Sequence, residues 1–119
     1  MDDFHNGQPI FVQIRQRLIE MILSGAVAEG DALPSVRQIA GELSVNPLTV
    51  SKAFDALVDI SVVEKRRGLG MFVTGGARAA LLAHERDKFL LQDWPRIVAQ
   101  VKALDLDIAT LLSSTVEPK

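Results

Sequence analysis

Cysteine and tyrosine are absent from the 119 residues, and one tryptophan and five phenylalanines are the whole aromatic supply of a chain that is 48% apolar. Without cysteine there can be no disulfide, thiolate metal site or cysteine nucleophile. With so few aromatics, the core must be packed by aliphatic side chains. Nowhere does an apolar run approach the ~18 residues of a membrane span. The opening MDDFHNGQPI has acids where a signal peptide would be basic, and no apolar run follows. A cytoplasmic chain with no membrane partner is expected, long enough for one domain or one small domain with an appendage.

A surplus of positive charge is also missing. The net charge is −2, and residues 1–76 carry seven Lys/Arg against nine Asp/Glu. A test on total charge would reject nucleic acid as a partner. Placement matters more, because a Debye length of ~8 Å lets a local basic patch act despite distant acids. Residues for catalysis are equally sparse. His5 and His84 are far apart in sequence, and neither has metal-ligand spacing. HERDK (His84–Lys88) reads as a solvated charge pattern, and Asp105 and Asp107 as helix caps. GLGMF cannot be a phosphate loop, since a strand follows it where a helix is needed. No enzyme, cofactor or metal site is expected.

What the chain does have is a sequence of helix signals. Ile10, Ile14, Leu18 and Ile22 recur every four residues, widened by Phe11 and Met21, with Gln13 mostly off the stripe. They predict a first helix over Pro9–Ser24 that ends at Gly25. AEGDALP (Ala28–Pro34) is a turn and a very short extended piece. SVRQ (Ser35–Gln38) has the form of a capping box opening a second helix with Val36, Ile39, Ala40 and Leu43 buried. Asn46 then caps a third helix with Pro47 in its first position, burying Val50, Ala53, Phe54, Leu57 and Val58. Val62–Arg67, Gly68–Gly70 and Met71–Thr74 follow as strand, turn and strand. Three helices and a hairpin in this order predict a mainly α winged helix-turn-helix with a small β-hairpin wing.

The tip of the third helix can face the major groove of DNA. Asn46 can bond a phosphate or a base, Thr49 and Ser51 can donate to phosphates, Lys52 adds charge, and Leu48 suits a thymine methyl. Taken alone, the stretch is equally an ordinary capped surface helix. Arg37, off the apolar face of the second helix, is alone a solvated arginine. Arg66 and Arg67 beside Gly68 form a basic tip that suits the DNA backbone or minor groove. The three signals together carry more than any one.

The stretch Gly30–Val73 resembles the DNA-binding domain of GntR-family transcriptional regulators. The phrases LPSVRQIAGELSVNPLTVSKA and RRGLGMFV, with PIFVQIRQRLIEMILSG before them, resemble its YtrA-like branch over residues 8–74. The resemblance implies a homodimer on an inverted-repeat operator in double-stranded DNA, usually as a repressor. It carries DNA contacts onto Arg37, Asn46, Leu48, Thr49, Ser51 and Lys52, with Arg67 and Gly68 in the wing. The chain departs from other branches at Pro47 and Ser51, where arginine is frequent. It also has DIS at 59–61 in place of an acid-glycine turn.

Residues 75–114 are too few for a further domain of ordinary size. Helix formers run from Ala77 to Trp94, and Leu90, Trp94, Ile97, Val101, Leu104, Ile108 and Leu111 step 4-3-4-3-4-3. Pro95 and Asp105–Asp107 are expected to divide this pattern into separate helices, and STVEPK to fray. The resemblance implies a short helical dimerisation segment. Leu82, Phe89, Leu90, Trp94, Ile97, Val101 and Leu104 are assigned to the dimer interface or the core beneath it. A fold-back onto the chain's own winged helix is the alternative. Two other readings of the whole chain are a winged-helix protein-interaction module and a small-molecule sensor, with an effector of unknown identity between the tail helices.

Overall fold

The computed structural model of the chain describes residues 8–114; His5 and the last five residues, which hold most of STVEPK, lie outside them. Residues to Leu82 form one compact unit and those from Ala83 a second.

In the first unit, helix α1 spans Ile10–Ser24, α2 Val36–Leu43 and α3 Pro47–Asp59. The boundaries follow local chemistry. Pro9 precedes α1 with extended backbone, one residue earlier in the helix than its sequence position suggests, and Gly25 closes it at φ +82°. Ser35 accepts the Gln38 N–H at 3.0 Å and so caps α2. Only half of the expected capping box forms, because the Gln38 amide donates to Glu42 at 3.4 Å instead of turning back to Ser35. Asn46 accepts the Leu48 N–H at 2.8 Å at the start of α3.

The helices bury one aliphatic core. Ile14, Leu18 and Ile22 meet Ile39 and Ala40 of α2 and Val50, Ala53, Phe54 and Leu57 of α3. Ile19 joins this core, whereas Ile10 is 43% exposed, so the buried stripe of α1 lies further along the helix than the four-residue repeat implies. Gln13 is buried as well, with its Nε2 donating to the Gln8 carbonyl at 3.0 Å. A buried amide with a backbone partner avoids the cost of an unmet hydrogen bond.

α3 ends without glycine. The Ser61 N–H donates to Val58 O at 2.9 Å and the Val62 N–H to Leu57 O at 3.2 Å. This paired pattern needs a left-handed residue, and Ser61 supplies it at φ +64°. The departure DIS therefore still enters the wing by a regular helix stop. Strands β1 (Val63–Arg66) and β2 (Gly70–Val73) pair antiparallel, from Val63 with Val73 to Arg66 with Gly70. The Leu69 N–H closes the tip on Arg66 O at 2.8 Å, with Gly68 at φ +76°. The short extended piece lies along the other edge of β2, where Leu33 N–H reaches Met71 O at 2.8 Å and Gly30 N–H reaches Val73 O at 2.8 Å.

Helix α4 (Ala77–Lys88) begins in the first unit, with Ala77 and Leu81 in its core. The expected break at Pro95 does not occur. Helical backbone continues through a wide π-type turn, Phe89–Asp93, into α5 (Trp94–Ala103). The Trp94 N–H reaches back five residues to Phe89 O. A wide turn just before Pro95 accommodates a ring that would clash in a regular α-helix interior. The division expected at Asp105–Asp107 does form: Asp105 takes φ +55°, and Asp107 caps α6 (Ile108–Ser113) by accepting from the Thr110 N–H at 3.2 Å.

Candidate nucleic-acid interface

The candidate interface is built by α3, its cap and the wing. The hydrogen bond to the Leu48 N–H holds the Asn46 side chain at the helix tip. Leu48 beside it is 77% exposed, a large apolar side chain left outside a well-filled core. Thr49 and Ser51 are half-buried on the two flanks of α3, and Lys52 is exposed between the flanks and the outer face. Arg37 is exposed in the first turn of α2.

Between the helices and the hairpin lies a cleft of about 290 Å³, lined by Ser35, Val36, Ser51, Lys65, Arg66, Gly68, Gly70 and Met71. It brings Ser51 of α3 together with Arg66 and Gly68 of the wing. It also adds Ser35 and Lys65, which sequence reasoning did not assign to the site. Ser35 was legible only as a cap. Lys65 had a usable signal in strand alternation: it shares a face with Val63, which turns inward, while Glu64 and Arg66 share the other face.

The wing cations are not equivalent. Arg66 Nε lies 2.8 Å from Glu64 Oε2, and its guanidinium stacks 4.2 Å from the centre of the Phe72 ring. Phe72 is the cross-strand partner of Glu64, so all three side chains occupy one face of the hairpin. Arg67 and Lys65 form no ion pair among the described residues. Lys52 places its Nζ 4.1 Å over the ring of Phe11. No group of three or more His, Asp or Glu positioned to hold a metal occurs among the described residues.

The second unit presents another kind of surface. Leu90 is 57% exposed, Leu91 78% and Leu104 61%, while Val101 is buried. Phe89 and Trp94 pack tilted against each other with ring centres 6.2 Å apart, and Ile97 is half-buried. Leu91, Leu106 and Leu112 are exposed too, beyond the residues the heptad spacing picks out. Leu82, at the end of the first unit, is half-buried. No helix among the described residues is long and apolar enough to cross a membrane.

The sequence profile of the bacterial regulatory proteins of the gntR family matches residues 11–73, which span the three helices and the wing. The chain belongs to the gntR family. Its gntR-family relatives include the HTH-type transcriptional regulator YhcF of Bacillus subtilis (strain 168), 30% identical over 88% of this chain and 85% of that protein. The HTH-type transcriptional repressor YtrA of the same organism is 39% identical over 67% of this chain and 62% of its own length. Among solved structures, YtrA from Sulfolobus acidocaldarius, a GntR-family transcription factor, superposes with a TM-score of 0.61 at 29% identity, covering 87% of this chain and 94% of that one. The gntR-family winged helix is thus the fold of this chain, and its relatives are transcriptional regulators.

Proposed function

We propose that this gntR-family regulator is a cytoplasmic repressor that binds an inverted-repeat operator in double-stranded DNA as a homodimer. In this reading residues 8–74 read DNA and residues 75–114 form the dimerisation segment. The tip of α3 enters the major groove, with Asn46, Leu48 and Thr49 toward the bases and Lys52 and Ser51 toward phosphates. Arg37 contacts the backbone from α2, and Arg67 and Gly68 carry the wing along the backbone or minor groove. Leu82, Phe89, Leu90, Trp94, Ile97, Val101 and Leu104 form the interface between copies and the core beneath it.

One observation carries this reading: a cleft between the recognition helix and a basic wing, with Lys65 and Arg66 in its lining and the capped tip of α3 beside it. Lys65 and the hydroxyls of Ser35 and Ser51 line that cleft, and such groups suit a sugar-phosphate strand passing between the two reading elements. The exposed apolar residues of the second unit support self-association, since soluble monomers seldom leave large apolar patches open. Two-fold symmetry then sets the half-site centres ~34–36 Å apart, or a multiple of that. Footprinting on the DNA upstream of the gene tests the reading: two protected, symmetry-related half-sites are expected, and a single unpaired half-site would count against the homodimer.

A further inference from the structure

The cations around the reading face are held in two different ways. Arg66 is paired with a carboxylate 2.8 Å away, an exposed contact that another partner of Arg66 must compete with. Lys52 is held by a neutral ring, with Nζ 4.1 Å from the centre of Phe11, and no carboxylate pairs with it among the described residues. Attraction to the face of an aromatic ring leaves the ammonium charge intact. It also leaves N–H donors free on the side away from the ring.

The geometry fixes where that charge sits. Phe11 is the second residue of α1, half-buried, and α1 packs along α3 through the aliphatic core. The core thus fixes the helix that carries the ring, and the ring itself stands half-buried beneath Lys52. Successive residues of α3 turn by about 100°. With Val50, Ala53, Phe54 and Leu57 inward, Ser51 falls on the flank facing the cleft and the wing, while Lys52 is turned toward α1. The cleft flank of the recognition helix thus carries the short Ser51 hydroxyl, while the α1 flank carries the half-buried Thr49 and, reaching furthest out, the long and flexible Lys52.

We propose that Phe11 is a positioning residue for Lys52, holding its ammonium on the α1 flank of α3 so that it meets a backbone phosphate there. The inference rests on the reading of this face as a DNA-binding surface. Lysine loses much rotamer freedom when it is fixed on a partner, and part of that loss has already occurred in the free protein. Removing the ring restores the freedom and weakens the contact without changing the net charge.

The test uses the full chain, a labelled duplex of mixed sequence at low salt, and four variants: Phe11→Leu, Phe11→Tyr, Lys52→Gln and the double variant Phe11→Leu/Lys52→Gln. Mixed-sequence DNA suffices because a phosphate contact does not depend on the base. Phe11→Leu should weaken binding about two- to fivefold for each protomer on the DNA, the range expected of an exposed cation–ring contact. Phe11→Tyr should bind like the wild type, and Phe11→Leu should have no further effect once Lys52 is glutamine. Lys52→Gln should also reduce the salt slope by about 0.9 per protomer.

Melting temperatures recorded alongside separate loss of the contact from loss of the fold. Equal losses from Phe11→Leu with and without Lys52 would make the ring merely structural and overturn the proposal. A weakened Lys52→Gln with a wild-type-like Phe11→Leu would overturn it while leaving the DNA-binding reading intact. Absence of binding by the wild type itself would remove both.

Discussion

Glu29, in the loop after α1, caps helix α4, and Arg78 answers it. The Glu29 carboxylate accepts the Gly76 N–H at 2.8 Å and the Arg78 N–H at 3.1 Å, while Arg78 Nε donates to Leu23 O at 2.8 Å. The loop after α1 and the first turn of α4 are joined in both directions. The bonds from the Gly76 and Arg78 amides, aided by the Arg78 charge, hold the Glu29 pKa below its ordinary 4.5. A carboxylate with a lowered folded pKa stabilises the fold above its unfolded value, and that stability is lost as the pH falls through the lower, folded value. Glu29→Ala should therefore melt below the wild type at neutral pH. The gap should close as the pH is taken down from 4.5, which melting curves of both proteins across that range would show.

Ser61 holds a left-handed conformation at φ +64° that glycine adopts without penalty. The bonds made there, from the Ser61 N–H to Val58 and from Thr74 Oγ1 to Ser61 O, use only the Ser61 backbone. Ser61→Gly should thus keep them and stabilise the domain by about 0.5–1 kcal/mol. Chemical denaturation measures this directly, and a loss of stability would show that the serine side chain has a role of its own.

Asn46 caps α3, and in the proposed function it also faces DNA, two tasks that substitution can separate. Asn46→Ala removes the acceptor for the Leu48 N–H and should cost about 1 kcal/mol of stability. Asn46→Asp keeps the cap, since aspartate serves equally well there, but sets a negative charge at the reading tip. Its melting temperature should stay near the wild type while its DNA affinity falls. Affinity unchanged in Asn46→Asp would place the tip of α3 away from DNA.

The wing arginines should respond differently. Arg67 is unpaired among the described residues, so Arg67→Ala should weaken binding to every sequence and lower the salt slope by about 0.9 per protomer. Arg66 already has Glu64 as a partner, so Arg66→Ala should cost less, and Glu64→Gln should tighten binding by removing a competing carboxylate. Binding isotherms at several salt concentrations distinguish these cases.

The elements fixed by neighbouring residues were legible in the sequence. Ser35 and Asn46 announce helix starts because a cap is settled within three residues, and Gly68 announces the wing turn because the turn needs its positive φ. Residues whose roles depend on distant partners were not. Pro95 looks like a helix breaker until Phe89–Asp93 widens to accommodate it. Gln13 looks exposed until its amide finds the Gln8 carbonyl. Within the candidate site, Arg66 and Arg67 are alike in sequence, and only Glu64 and Phe72 across the hairpin set them apart. Ser35 enters the site because the hairpin folds against α2 and α3, a tertiary fact that no local pattern contains, whereas strand alternation already set Lys65 on the inward face.

The most direct measurement of the central claim is a salt titration by fluorescence anisotropy, comparing the DNA upstream of the gene with scrambled DNA of equal length. A sequence-specific regulator of its own gene should bind the upstream DNA with a steep salt dependence and a preference of about 10³-fold or more. No binding to either duplex, even at low salt, would contradict the account and leave the winged helix as a protein-docking surface.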